Sequence, residues 1–349
     1  HQVRRGPRRT GRGRVAVTVR WMTAAQAGGR RWAAAATTVP WAVCAVLRAT
    51  GTERGYPLVP ALAFTPYAAA TSVVPLVVAL RSGSRCAAGV AATAGAVLAA
   101  AVLRRARREP ATVRAAGQGA RRLRVATVSL RLGRADPHAV VALVRAHRVD
   151  VLAVQELTPE ARTALQAAGL GEQLPHAHVV AARDGSPPAA GGALWSRWPV
   201  RERSAVPGRF EQPAARIAVP GAPDVEVTAV HTDPPSTSPR SVRQWTADLA
   251  DLPGPDPGVL RVLAGDFNAT LDHAALRRLV GTGYRDAALA VGQGLRATWT
   301  PLRSPQPRLT LDHVLVDPRL GVASVTLVPV PGSDHRALIA ELELPQRTG

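Results

Sequence analysis

Between Trp32 and Leu103 the chain carries three apolar stretches with no ionised side chain: Trp32–Leu47, Tyr56–Leu80 and Ala87–Leu103. A bilayer core takes about 20 apolar residues as helix, and three uncharged runs in series are rare in soluble cores. A single cleaved leader does not explain three runs. The expectation is three transmembrane helices, at about 32–48, 56–80 and 87–103. Pro40 interrupts the first run, and the first and third need their flanks to span.

Charge sharpens this division. Every basic residue apart from histidine is Arg, and the net charge is +20. Residues 1–124 hold 21 Arg against Glu53 and Glu109, whereas residues 125–349 hold 23 Arg against 22 acidic side chains. The excess therefore belongs to the N-terminal third. Residues 1–31 carry nine Arg and no acidic residue, which predicts a basic disordered tail beside anionic lipid. Arg counts beside the spans favour a cytoplasmic tail, with Arg104, Arg105, Arg107 and Arg108 in conflict. Three spans then carry the C-terminal domain to the extracytoplasmic side of a multi-pass cell-membrane protein. Cys44 and Cys86 lie in or beside apolar runs without metal-ligand spacing and are read as small helical residues that do not pair.

After a linker over residues 104–122 the pattern changes to alternating strands and helices through 123–349. Strands are expected at Leu123–Leu130, Asp150–Val154, His176–Ala182, Gly192–Ser196, Val225–His231, Val259–Gly265, Leu311–Val316, Ala323–Val328 and Ala337–Leu342. Helices are expected at Pro137–His147, Pro159–Ala168, Arg240–Leu252 and His273–Val280. The fold class is α/β: two packed β-sheets flanked by helices, a four-layer sandwich.

Polar clusters recur at the ends of these strands. Asp266 and Asn268 follow the run Val259–Ala264 and point the same way, because side chains alternate along extended backbone. Glu156 ends Val151–Val154 and offers a hard oxygen ligand to Mg²⁺ or Mn²⁺. His231 ends Val227–Val230 and can donate a proton to an oxygen. Asp312-His313 and Asp334-His335 supply carboxylates that can fix an imidazole tautomer. Taken singly, each has an ordinary reading as a solvated turn residue; the ordered set points to phosphate hydrolysis.

The ordered set resembles the endonuclease/exonuclease/phosphatase (DNase I-like) superfamily. The matching stretches are Val154-Gln155-Glu156, Gly192–Pro199, Val230-His231, Gly265–Asn268, Thr298-Trp299, Leu311–Val316 and Ser333–His335, spread over roughly 123–343. The resemblance implies that Glu156 holds a divalent metal, Mg²⁺ or Mn²⁺, with Asp334 at or near it. It implies that Asp266 and Asn268 orient the attacking water, that His231 stabilises the phosphoryl group, and that Asp312 orients His335. One position departs: the superfamily's first strand ends in Asn, and here Ser129 stands in its place, shorter and without an amide.

Substrate is not fixed by such a resemblance. The nearly neutral catalytic half lacks an obvious polyanion track, so nucleic acid is the weaker partner. The membrane-tethered arrangement resembles actinobacterial proteins linked to glycopeptide (teicoplanin) resistance. The expected function is a membrane-anchored, metal-dependent phosphohydrolase acting among membrane lipids on a phosphate ester or anhydride, with a lipid-linked pyrophosphate as the leading case. A membrane-tethered nuclease and a catalytically weak scaffold, the latter motivated by Ser129, are the alternatives. No protein partner is expected.

Overall fold

A computed structural model describes residues 13–109, 121–301 and 307–346. The chain forms two compact units: residues 1–49 with 67–99, and residues 50–66 with 100–349.

The first unit is helical. One helix runs Gly13–Thr50, so the expected tail is helical from Gly13; residues 1–12 lie outside the described residues. The other helices are Thr65–Thr71, Val73–Arg81 and Arg85–Leu103. They pack through small residues: Ala34, Ala79 and Ala87 in one cluster, Ala45, Ala94 and Leu98 in another. Small side chains let helix backbones approach closely, which is how helices associate in lipid. The Trp41 indole N–H donates to the Ala68 carbonyl at 3.0 Å. Cys44 and Cys86 are not joined in a disulfide.

Among the described residues two helices, Arg31–Thr50 and Arg85–Ala106, are long and apolar enough to cross a membrane. The middle run is a correction to the sequence expectation. It is not one straight helix but two pieces, Leu58–Thr71 and Val73–Arg81, bent by 50°. Pro75 accounts for the break: it has no N–H to give the carbonyl of Thr71, and its ring crowds that turn.

Among the described residues the second unit holds twelve strands: β1 Arg121–Ser129, β2 Val151–Leu157, β3 His176–Val180, β4 Gly191–Ser196, β5 Val200–Val206, β6 Gln212–Ile217, β7 Val225–His231, β8 Leu260–Asp266, β9 Arg285–Asp286, β10 Asp312–Val316, β11 Gly321–Pro329 and β12 Arg336–Leu344. They form two six-stranded sheets, ordered β11-β12-β1-β2-β4-β3 and β5-β6-β7-β8-β10-β9. The pairs β1–β2 and β7–β8 are parallel and the other neighbours antiparallel.

Alternation along the strands builds the layers. Leu123, Val125 and Val151 of one sheet meet Ile217, Val227 and Val262 of the other between the sheets. Val128, Leu152 and Val154 face outward beneath the helices Pro137–Ala146 and Pro159–Ala167. Val230 and Leu263 face the opposite way, beneath the helices Pro239–Asp251 and Ala274–Gly281. The result is helix, sheet, sheet, helix. Caps fix the helix starts: Asp136 accepts from the His138 N–H at 2.9 Å, and Ser238 forms a reciprocal capping box with Ser241.

Residues 50–66 belong to this second unit and are tied to it at several points. Val59 is buried in the same apolar cluster as Val230, Leu263 and Phe267. The Glu53 carboxylate accepts from the Ala274 N–H at a helix start, and Arg105 pairs with Asp272. His273 supplies a third tie. Its Nδ1 accepts from the Thr270 N–H at 2.9 Å, so its proton sits on Nε2, which donates to the Val59 carbonyl at 3.0 Å. Burial pushes the His273 pKa down, chiefly by desolvation. A second proton would face the Thr270 N–H.

The sign follows. His273 is neutral in the fold but titrates near 6.5 when unfolded, so its contribution is intact above that pH and declines as pH falls below it. Thermal unfolding of the protein is expected to shift down between pH 7.5 and 5.5, and His273→Gln to flatten that slope by up to about 1.4 kcal/mol per pH unit. An identical slope in the variant contradicts this account.

Candidate active site

Register aligns the first three side chains. β7 and β8 run parallel with His231 opposite Asp266, and β10 runs antiparallel to β8 with Asp312 opposite the same Asp266. Three polar groups thus form one row across the strand ends, all buried. The Thr298 hydroxyl accepts from the backbone N–H groups of Leu311 and Asp312, at 2.9 and 3.0 Å, and fixes where β10 begins.

His335 joins from the turn before β12. Its Nδ1 is 2.8 Å from Asp312 Oδ2, and its Nε2 lies 3.7 Å from Asp266 Oδ2. Ser333 holds this turn: its hydroxyl donates to the Ser129 carbonyl at 2.8 Å and accepts from the His335 N–H at 3.0 Å. Asp334 accepts from the Trp299 indole at 3.1 Å, and Arg131 Nε lies 3.9 Å from it.

His313 has a different place. Alternation turns it to the far face of the sheet from Asp312. There Nδ1 sits 2.6 Å from Asp286 Oδ2 and Nε2 2.8 Å from the Ala269 carbonyl. It is a satisfied core histidine.

Four non-glycine residues at the site have left-handed backbone: Arg131 at φ 47°, Leu132 at φ 57°, Glu156 at φ 55° and Asn268 at φ 45°. Such conformations cost energy and collect at functional sites. In Asn268 the strain is offset locally: its N–H donates to Asp266 Oδ1 at 2.9 Å and its amide donates to the Thr232 carbonyl at 2.8 Å. Glu156 sits where the β2–β4 register shifts, which turns its carboxylate out of the ladder. Its two oxygens accept from the Ser129 hydroxyl at 3.0 Å and the Leu132 N–H at 2.7 Å. Ser129 therefore orients the very carboxylate expected to bind metal.

Glu156, His231, Asp266, Asn268, Asp334 and His335 all line one cavity of about 530 Å³. Asp312 stands behind His335. The structure thus gathers every sequence-expected site residue at one place. Sequence reasoning missed others. Phe210 stacks on the His231 ring with centroids 4.2 Å apart and planes at 17°. Gln212 accepts from the His231 N–H at 3.1 Å. Neither stood out, because both lie near the start of β6, which the pattern did not reveal.

The electrostatics separate the roles. Burial, with help from the His335 charge, pushes the His231 pKa down to about 3, so this ring is neutral. Its Nδ1 is buried with no hydrogen-bond partner. Asp266 is pushed up to about 7, first by burial and then by the neighbouring carboxylates of Asp312 and Glu156, against the pull of His335. Burial disfavours a charged His335, yet the Asp312 and Asp266 carboxylates outweigh it and hold the ring as an imidazolium.

The donor set fits a divalent cation. Four carboxylates, Glu156, Asp266, Asp312 and Asp334, face one imidazolium and the more distant Arg131, an anionic surplus of oxygen donors that suits Mg²⁺ or Mn²⁺. Among the described residues the compact group able to hold an ion is Asp266, Asp312 and His335, with donor atoms within 4.8 Å of one another. Within it Asp312 and His335 are bonded to each other. Glu156 and Asp334 lie outside that group but on the same cavity.

Comparison with known proteins agrees with this architecture. The solved structure of humanised D. rerio TDP2 matches at a TM-score of 0.51 and 14% identity, covering 64% of this chain and 99% of that one. D. rerio TDP2 complexed with a single-stranded DNA product matches equally, at 0.51, 14%, 64% and 99%. An endonuclease/exonuclease/phosphatase from Beutenbergia cavernae matches at 0.49 and 20% identity, covering 64% of this chain and 72% of that one. The two TDP2 likenesses bear on the fold alone. No curated protein matches the chain. The model of the Endonuclease/Exonuclease/phosphatase family, however, matches residues 118–335, more than half of the chain. With its two-sheet sandwich and its polar strand ends, the chain belongs to that family of hydrolases that cleave phosphoester bonds.

Proposed function

We propose that the protein is a membrane-anchored, Mg²⁺-dependent phosphohydrolase whose substrate is a lipid-linked pyrophosphate at the extracytoplasmic membrane face. The observation that carries this reading is the cavity itself. Its floor is polar, whereas its walls are apolar, built by Leu132, Phe210, Pro234, Pro235, Leu309 and Leu311. A nucleic-acid groove is lined by Arg, aromatic platforms and phosphate-binding amides along a track. A phosphate carried on a hydrocarbon needs the opposite: one charged end and an apolar sleeve.

The sidedness has its own support. Residues 50–66 fall between the first apolar helix and the later ones, yet they are tied to the domain that follows the last helix. The two segments must therefore share one membrane face. In this reading two crossings separate them, one of them made by the residues of the bent pair that follow Pro66, and the tail lies opposite the domain. Pairing of Arg105 with Asp272 also removes one cation from the cluster that opposed this orientation. A topology reporter fused after Arg124 tests it; a cytoplasmic signal contradicts the proposed side.

In this reading Glu156 holds the Mg²⁺, with Asp334 beside it. The cation, when bound, neutralises phosphate oxygens and favours the leaving group. The remaining work belongs to the chain. The Asp266 carboxylate accepts a proton from the attacking water, and Asn268 keeps Asp266 oriented through its backbone N–H. The His335 imidazolium and neutral His231 donate hydrogen bonds to phosphoryl oxygens as charge grows there. A new phosphorus–oxygen bond forms from water and the bridging bond breaks. Inorganic phosphate and a lipid monophosphate leave, and the proton lost by water returns to solvent from Asp266.

Purified protein with Mg²⁺ is expected to release phosphate from a polyprenyl pyrophosphate, to stop on chelation, and to recover when Mg²⁺ is restored. Glu156→Ala should lower turnover by about 10²-fold or more. Plasmid nicking without phosphate release from lipid pyrophosphate would favour a tethered nuclease instead.

A further inference from the structure

The segment between the first two apolar helices enters the catalytic cavity. Pro60, Ala63 and Phe64 line the same cavity as His231, Asp266 and His335. They are held there by the ties already described: Val59 in the core of the catalytic unit, the His273–Val59 hydrogen bond at 3.0 Å, and Glu53 on the Ala274 N–H. None of the three lining side chains can bind a phosphate or a metal. Their chemistry suits only the organic part of a substrate.

We propose that Pro60, Ala63 and Phe64 form the specificity wall for the hydrocarbon chain of the substrate, so that the protein selects phosphate compounds by the length of their apolar portion. This rests on the lipid-pyrophosphate reading above and adds the residues that read the lipid. Position supports it. Phe64 lines the cavity together with His231 and His335, so a hydrocarbon attached to a phosphate held by those groups lies in the same cavity as its ring. Burial of added methylenes against such a wall strengthens binding of longer chains. Phe64 is 37% exposed, so its side chain can be exchanged without opening the core.

The test is a chain-length series on the full-length protein in phosphatidylcholine nanodiscs, with dimethylallyl, geranyl and farnesyl pyrophosphate as substrates and released phosphate as readout. For the unaltered protein, kcat/KM is expected to rise about tenfold with each added isoprene unit. Phe64→Asp should collapse the farnesyl-to-dimethylallyl ratio to about threefold or less, and Phe64→Leu should restore most of it. A variant Phe64→Asp that keeps the full ratio overturns the wall while leaving the lipid-pyrophosphate reading in place. An unaltered protein that cleaves none of the three overturns that reading and the wall with it. An unaltered protein that cleaves all three at one rate overturns the wall alone.

Discussion

Asp266→Asn lowers kcat by about 10³–10⁴-fold while raising the thermal stability of the metal-free protein. The two effects share one cause. Asp266 is buried at the floor of the cavity beside two other carboxylates, and its pKa is pushed up to about 7. In the unfolded chain it titrates near 3.9. A carboxyl raised in the fold makes folding less favourable once pH exceeds its unfolded value, and the penalty grows until the folded group has ionised. Above about pH 7 it reaches on the order of a few kcal/mol, softened by the His335 imidazolium. Asparagine has the same shape and can still accept from the Asn268 N–H, the contact now made at 2.9 Å. It carries no charge to desolvate and no basic oxygen to take the proton from water. At pH 8 the chelated Asp266→Asn variant should therefore melt higher than the chelated unaltered protein, and the gap should close towards pH 4. Turnover with Mg²⁺ should be nearly abolished. A variant that loses activity and stability together would show that Asp266 is structural.

The same competition between burial and charge explains how much of the protein is legible in its sequence. β2, β7, β8 and β10 are buried on both faces over most of their length, so they appear as apolar runs, broken only by Glu226 and Arg261 near the starts of β7 and β8, and the polar residue at the site end of each stands out against them. That contrast alone located Glu156, His231, Asp266 and Asp312. β5 and β6 gave no such contrast. β5 is an exposed edge strand bearing Arg201, Glu202 and Arg203, as edge strands that avoid aggregation do, and β6 contains Pro213. With β6 unseen, Phe210 and Gln212 had nothing to attach them to His231.

Residues 58–64 were illegible for a different reason. Hydropathy records that a segment avoids water; it does not record whether lipid or a protein core covers it. Val59 and Leu62 are buried in a unit whose other members are strands and amphipathic helices, yet they score as membrane residues. The available signal was proline. Pro57, Pro60, Pro66 and Pro75 within Tyr56–Leu80 argue against one straight helix, and the observed break at Ser72 falls within the turn before Pro75. Ser129 is the converse case. In sequence it looked like a loss of the expected Asn, but the structure gives it a hydrogen bond to Glu156 at 3.0 Å and a carbonyl that anchors Ser333 at 2.8 Å.

Gly265→Ala should be the most damaging single methyl group in the domain. Gly265 pairs with Val230 across the parallel β7–β8 ladder. A Cβ built on it would lie 2.0 Å from the Val230 carbonyl oxygen and 2.7 Å from the Val230 backbone N and C. These are backbone atoms, so no side chain can rotate away. The strands must part at the step that sets His231 opposite Asp266. The cost belongs in the upper tail of single substitutions, about 4 kcal/mol or more, which for a domain of this size lowers the unfolding temperature by roughly 10 °C. Any folded fraction should also be impaired, since a displacement of about 1 Å between reacting groups costs on the order of 10²-fold in rate. Gly281 is the control: it ends a helix, and a Cβ there meets nothing within 4 Å. Gly281→Ala should leave stability unchanged or raise it by about 0.5 kcal/mol. If both alanine variants melt within about 2 °C of the unaltered protein, the β7–β8 contact is not what holds the catalytic row in register.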